Sequence, residues 1–252
     1  MYWKRFFFFN KYIGKNISIK YTGRKYCISC NTILETTYIN GFCFKCFNKL
    51  ASCDQCTIKP NLCHYHFSTC RDPAWSDSNC FIDHYVYLSK TSSIKVGITK
   101  FKQIPFRWMN QGAIQALPII KTRSRYQAGL IESLMKNYIT DKTSWKKMLL
   151  SDIEYTDIIN KKKFLFHETM NDIKFINKNL EAETKILKGL KPICINYPLK
   201  KVVNNLRLVE INKNSNKFQD ILNGIKGQYL IFDKGVINMK KYLGYEMLFT
   251  IS

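Results

Sequence analysis

The chain has 252 residues and a formal charge of +22, set by 40 lysines and arginines against 18 acidic residues. No apolar run approaches the roughly 18 residues of a membrane-spanning helix, and the phenylalanines of "MYWKRFFFFNKYIG" are too few for the core of a secretion signal. The chain therefore reads as cytoplasmic, with no membrane partner and room for one large domain or two to three small ones. Lysine outnumbers arginine 33 to 7, and isoleucine (30) and asparagine (21) dwarf alanine (6), so codon bias in a low-GC genome competes with polyanion binding as the origin of the charge.

The first recognisable unit is "CISCNTILETTYINGFCFKC". Cys27 and Cys30, then Cys43 and Cys46, form two C-x-x-C knuckles, and the "NG" at 40–41 supplies a turn between them. Each knuckle can present two thiolates to one tetrahedral zinc, and four thiolates leave no position for a reactive water, so the role is structural. Nine of the ten cysteines lie between Cys27 and Cys80, which in a cytosolic chain argues for metal rather than disulfides. "CDQCTIKPNLCHYHFSTCRDPAWSDSNCFIDH" offers a second zinc set: Cys56, Cys63, Cys70 and Cys80, with His66 and His84 as substitutes or supporting groups. The competing reading is that these cysteines are small core residues. Residues 1–82 are expected to form this Cys-rich, zinc-ribbon-like module.

"HYVYLSK" and "SIKVGITK" alternate with period two, which predicts an antiparallel hairpin with Tyr87 and Lys95 on one face and Ile94, Val96 and Ile98 on the other. Gly97 leaves space for another backbone or a ligand. Pro105 suits the start of a helix on which Phe106, Met109, Ala113 and Leu117 cluster, with Arg107 and Gln111 on the flank and Gly112 ending it early. A third strand around "ALPIIKTR" precedes "YQAGLIESLMKNY", whose buried stripe is expected to be Leu130, Ile131, Leu134, Met135 and Tyr138, with Glu132 beside it. "DKTSW" reads as a turn before a short helix, with Asp141 a cap or a metal ligand.

Tyr87, the "KVG" at 95–97, Arg107 and Glu132 resemble the GIY-YIG nuclease superfamily, closest to its branch with "KIG-x-T". That resemblance covers about residues 84–150 and implies a small antiparallel sheet with flanking helices. More broadly, residues 24–250 resemble a bacterial family known as domain of unknown function 2797, on "CHYHFSTCRDPAW", "HYVYLS", "KVGIT", "RWMNQGA", "DKTSW" and "GIKGQYLIFDKGVINMKKYLGYE". The nuclease resemblance implies that Glu132 holds Mg²⁺ or Mn²⁺, that Arg107 neutralises charge on the phosphoryl oxygens, and that Tyr87 handles the attacking water, its pKa lowered by Lys95. Lys95 stands where the superfamily has its second tyrosine. Each group also has an ordinary use: a strand aromatic, a solvated lysine, a surface ion pair.

The α+β-like central domain is thus placed at 83–150, a lysine-rich helical connector at 151–190, and a strand-rich domain at 191–252 shaped as a small barrel or sandwich. Its strands are read in "YPLKKVVNNLRLVEI", "GQYLIFD", "GVINMKK" and "YEMLFTI". Candidate nucleic-acid contacts are Lys100, Lys102, Trp108, Gln111, Arg123 and Arg125 in the centre, and Lys226, Tyr229 and Tyr242 in the rear. The overall class is α+β. Three functions compete: a metal-dependent endonuclease on structured DNA or RNA, a non-catalytic nucleic-acid adaptor, and a zinc-stabilised protein scaffold. Sequence does not set the oligomeric state.

Overall fold

In the computed structural model the described residues are 9–139, 144–150, 156–200 and 206–252. Asp141 and the 201–205 part of "YPLKKVVNNLRLVEI" lie outside them, as do the first eight residues. The chain forms two compact units, 1–47 with 196–252, and 48–195. The Cys-rich stretch expected as one module to residue 82 is therefore divided after Phe47, and its second half folds with the central segment.

In the first unit alternation builds the sheet. Along Asn16–Tyr26 (β1), Ile17, Ile19 and Tyr21 are buried while Lys20 between them is exposed. Short Ile33–Leu34 (β2) pairs with the end of β1. The expected rear strands are Lys217–Lys226 (β8), Tyr229–Phe232 (β9), Gly235–Asn238 (β10) and Tyr245–Ile251 (β11). All neighbours are antiparallel, in the order β10-β9-β8-β1-β11. The C-terminal strands do not make a sheet by themselves, because β1, from the other end of the sequence, separates β8 from β11. Leu222, Leu230, Phe232 and Ile237 join the β1 row in one apolar core.

The second unit contains the hairpin His84–Lys90 (β3) and Ile94–Lys100 (β4), with Gln115–Thr122 (β5) on the other side of β3. Lys185–Ile186 (β6) and Ile193–Cys194 (β7) both pair with β5. The strand–strand–helix–strand–helix order expected of the central segment is present. One face, with Val86, Leu88, Val96, Leu117 and Ile120, packs against Arg125–Lys136 (α5) and Ile158–Asn179 (α7). The expected connector is thus a structural layer: α7 buries Ile158, Leu165 and Ile173 in this core. The helices are capped as their sequences ask, with Ser124 accepting from the Gln127 N–H and Asp157 from the Ile159 N–H. In α5, Ile131 and Met135 are buried and Leu134 packs beside them, while Tyr138 is exposed.

The opposite face holds Tyr87, Trp108, Ala113 and Ala116. Here the helical phase differs from expectation. In Phe106–Asn110 (α4), Trp108 is fully buried, whereas Phe106 is 65% and Met109 39% exposed. Five residues are too few for a wheel to have a dependable buried side, and the indole's larger apolar surface wins the core. Gly112, at φ +72°, ends α4 as expected. Other short α-helices among the described residues are Phe44–Lys49 (α1), Gln55–Ile58 (α2), Pro73–Asn79 (α3) and Trp145–Leu150 (α6).

Candidate functional site

The two knuckles of the first unit meet. The sulfur atoms of Cys27, Cys30, Cys43 and Cys46 all lie within 4.8 Å of one another, so the four could hold one metal ion. The turn between the knuckles is at the predicted "NG": Asn40 and Gly41 have φ of 51° and 84°, and the Tyr38 N–H donates to the Phe42 carbonyl. The Cys43 N–H donates to Cys27 Sγ at 3.2 Å, and the Cys46 N–H to Cys43 Sγ at 3.4 Å. Burial works against ionising Cys27, yet the backbone N–H groups of Cys30, Cys43 and Ser29 outweigh it and bring its pKa down to about 6. Cys46 is pushed up to about 12 by the neighbouring thiols of Cys43 and Cys30. Four thiolates crowded together need a cation to ionise as a set, and a tetrahedral soft metal such as zinc fits this donor set.

The second constellation is looser. Cys56, Cys63 and Cys80 line a small cavity of about 20 Å³, and Cys80 also feels the charge of Cys70. His66 is exposed and makes tilted ring contacts with Phe67 and Tyr126. Asp54, Cys56 and His64 come within 4.8 Å, but Asp54 is already ion-paired with Arg71 Nε at 2.7 Å. His84 is not gathered with the cysteines; its surroundings are cationic, as set out next.

A cleft of about 440 Å³ opens in the second unit, walled by the 52–79 segment on one side and by β3, β4, α4 and α5 on the other. Gly129 of α5 lets this segment close in, since a Cβ there would sit 2.5 Å from Pro60 Cβ. Arg107, Glu132, Lys100, Arg125, Gln103 and His84 all line it. Glu132 is oriented by Lys136 one turn on, at 3.2 Å, and its side chain is 14% exposed.

Tyr87 lies behind this wall, fully buried. Its ring fills the space that Gly97 leaves across the strand pair: a Cβ on Gly97 would be 2.7 Å from the Tyr87 hydroxyl. That hydroxyl donates to Gln111 Oε1 at 3.0 Å. Burial raises its pKa; Arg107 opposes the rise and the Glu132 charge adds to it. The tyrosine is therefore a neutral hydrogen-bond donor at neutral pH, and Arg107 is a cation that acts on it. Lys95 shares the Tyr87 face, opposite Ser89, but the described cleft wall does not include it.

The other candidate contacts divide. Lys102 and Arg123 are exposed beside the cleft residues Gln103 and Arg125. Trp108, Lys226 and Tyr229 are buried, the first two at 0% and 1% exposure, so they do not offer a free surface for bases. Lys226 lies over the Tyr197 ring, 5.8 Å from its centroid. Tyr242 accepts the Ile211 N–H at 2.8 Å, a packing role. Sequence reading missed the 52–79 wall and the place of His84. Only the pairing of His84 with Lys100 and Thr122 across the strands reveals the latter.

Fold and sites together define an α+β protein that carries a tetracysteine cluster in one unit and a basic cleft in the other. The chain belongs to the family described as "Protein of unknown function (DUF2797)", whose model matches residues 14–247. No curated protein and no solved structure matches it.

Proposed function

We propose that the protein is a nucleic-acid-binding, divalent-metal-dependent phosphodiesterase of the GIY-YIG type, with zinc as a structural ion on Cys27, Cys30, Cys43 and Cys46. The observation that carries this reading is the placing of Arg107 and Glu132 on one open cleft, with the Tyr87 hydroxyl responding to the charge of both. Arg107 stands exposed at the cleft, free of burial cost, and its planar fork suits the oxygens of a phosphodiester. Tyr87 holds Gln111 and faces Arg107 from beneath, so it positions the arginine side of the site and supplies a fixed hydroxyl proton. A single carboxylate fits Mg²⁺ or Mn²⁺, which keep most of their waters; bound at Glu132, such an ion would supply charge neutralisation at the phosphate. Lys100, Lys102, Arg123 and Arg125 give the approach a positive potential. A second zinc on Cys56, Cys63, Cys70 and Cys80 belongs to the same proposal, supported by the small cavity that three of them share.

One observation favours a second reading. Lys95 stands in place of the superfamily's second tyrosine and the described cleft wall does not include it, as expected of a non-catalytic adaptor that has kept the binding cleft. The deciding experiment incubates purified protein with Mg²⁺ or Mn²⁺ and duplex, branched and single-stranded DNA and RNA. Cleavage by the wild type that disappears in Glu132→Ala supports the enzyme. Binding without cleavage supports the adaptor, and cleavage unchanged in Glu132→Ala rules out the mechanism. Metal analysis alongside is expected to give about two zinc ions per chain; one would remove the second site.

A further inference from the structure

Among the described residues of the second unit, four side-chain polar atoms are buried without a hydrogen-bond partner, and two of them belong to residues of the cleft: His84 Nε2 and Arg125 Nε. Each side chain is anchored through another of its atoms. His84 Nδ1 meets the Ile82 carbonyl at 2.8 Å, so Nδ1 carries the proton and Nε2 is left as a lone-pair acceptor. Arg125 donates through Nη2 to the Thr57 carbonyl, which leaves its Nε–H as a waiting donor.

Burial first, then the charges of Arg125 and Lys100, bring the His84 pKa down to about 4, against the opposing effects of the Ile82 carbonyl and the Asp83 carboxylate. A neutral acceptor is therefore set among fixed cations. Such surroundings disfavour a metal ion at Nε2. They also fail to suit a phosphate alone, because phosphate oxygens offer no proton to Nε2. A hydroxyl group satisfies both orphans at once, donating to Nε2 and accepting from Nε–H. Lys100, tethered to Asn79 Oδ1 at 2.6 Å, lies beside the same pair and can take an adjacent phosphate oxygen.

We propose that His84, Arg125 and Lys100 form a sugar–phosphate subsite of the cleft which reads a ribose 2′-hydroxyl, so that the polymer held there is RNA. The proposal deepens the nucleic-acid reading above and rests on it. The 2′-hydroxyl is the group by which a protein tells RNA from DNA, and a site with buried polar groups discriminates strongly against a ligand that leaves them unpaired.

The experiment measures binding of the full-length, zinc-loaded protein, without Mg²⁺ or Mn²⁺, to one single-stranded sequence made as RNA, as DNA and as 2′-O-methyl RNA. RNA is expected to bind on the order of tenfold or more tightly than the other two. The methylated strand keeps the ribose pucker and the oxygen but loses the proton that Nε2 requires. In His84→Phe the preference should collapse, in His84→Gln the amide oxygen should restore part of it, and Lys100→Met should weaken RNA and DNA alike. Equal binding of all three polymers by the wild type overturns this inference and leaves the nucleic-acid reading standing. Tight RNA binding with the preference intact in a folded His84→Phe also overturns it. Binding of none of the three overturns the reading on which it rests.

Discussion

Trp108 illustrates how a single residue type can be read two ways. Next to a candidate phosphate ligand it suggests base stacking, yet its indole is fully buried, 5.8 Å from the Tyr87 ring centroid. Trp108→Ala is expected to cost about 3–5 kcal/mol in urea unfolding, the range for emptying an aromatic core position. His84 gives a pH signature at the same scale. Burial, aided by Arg125 and Lys100, holds its pKa at about 4, below the ordinary 6.5, so the unfolded chain takes up this proton first. The contribution to stability is complete above about pH 6.5 and is lost as pH falls towards 4, amounting to on the order of 3 kcal/mol. Denaturation midpoints of the wild type and His84→Gln, measured between pH 7 and pH 4, should converge as the pH drops. Parallel curves would refute the assignment. Arg107 and Glu132 were legible from sequence because their neighbours form a motif. His84 was not, since a histidine beside cysteines looks like a ligand until strand pairing turns it towards Lys100 and Arg125.

At the scale of elements, period-two alternation located β3, β4 and most of the rear strands, because each strand buries one face only. The short α4 defeated helical periodicity, and α7 was read as a linker because its lysines hide three core positions spaced seven and eight residues apart. Those positions give the helix its purpose. Leu165, fully buried between α5 and the sheet, is expected to cost about 2–5 kcal/mol when changed to alanine. A solvated connector would tolerate the change within about 0.5 kcal/mol. Urea unfolding separates the two values. The same packing explains why α5 is held firmly enough to present Glu132: Gln127, next to Ala128 and one turn before Ile131 in the core, donates to Asn177 Oδ1 at 3.0 Å on α7.

For the whole molecule, strand and helix periodicity predicted the α+β class and the cysteine spacing predicted a metal cluster, but neither could reveal that β1 completes a sheet with strands 200 residues away. Pairing between the ends of a sequence leaves no local trace in either partner. A fragment of residues 191–252 therefore lacks the strand that separates β8 from β11, and it is expected to show no cooperative thermal transition. A sharp transition in that fragment would contradict the topology. Three of the cations behind the net charge, Lys100, Arg107 and Arg125, line the cleft. The most direct test of the central claim is a salt titration of oligonucleotide binding by the wild type and Arg107→Ala, without divalent ions. The account predicts affinity that falls steeply with salt, and a log–log slope smaller by about 1 in the variant. An affinity and a slope unchanged by Arg107→Ala would show that the phosphates are bound elsewhere and would contradict it.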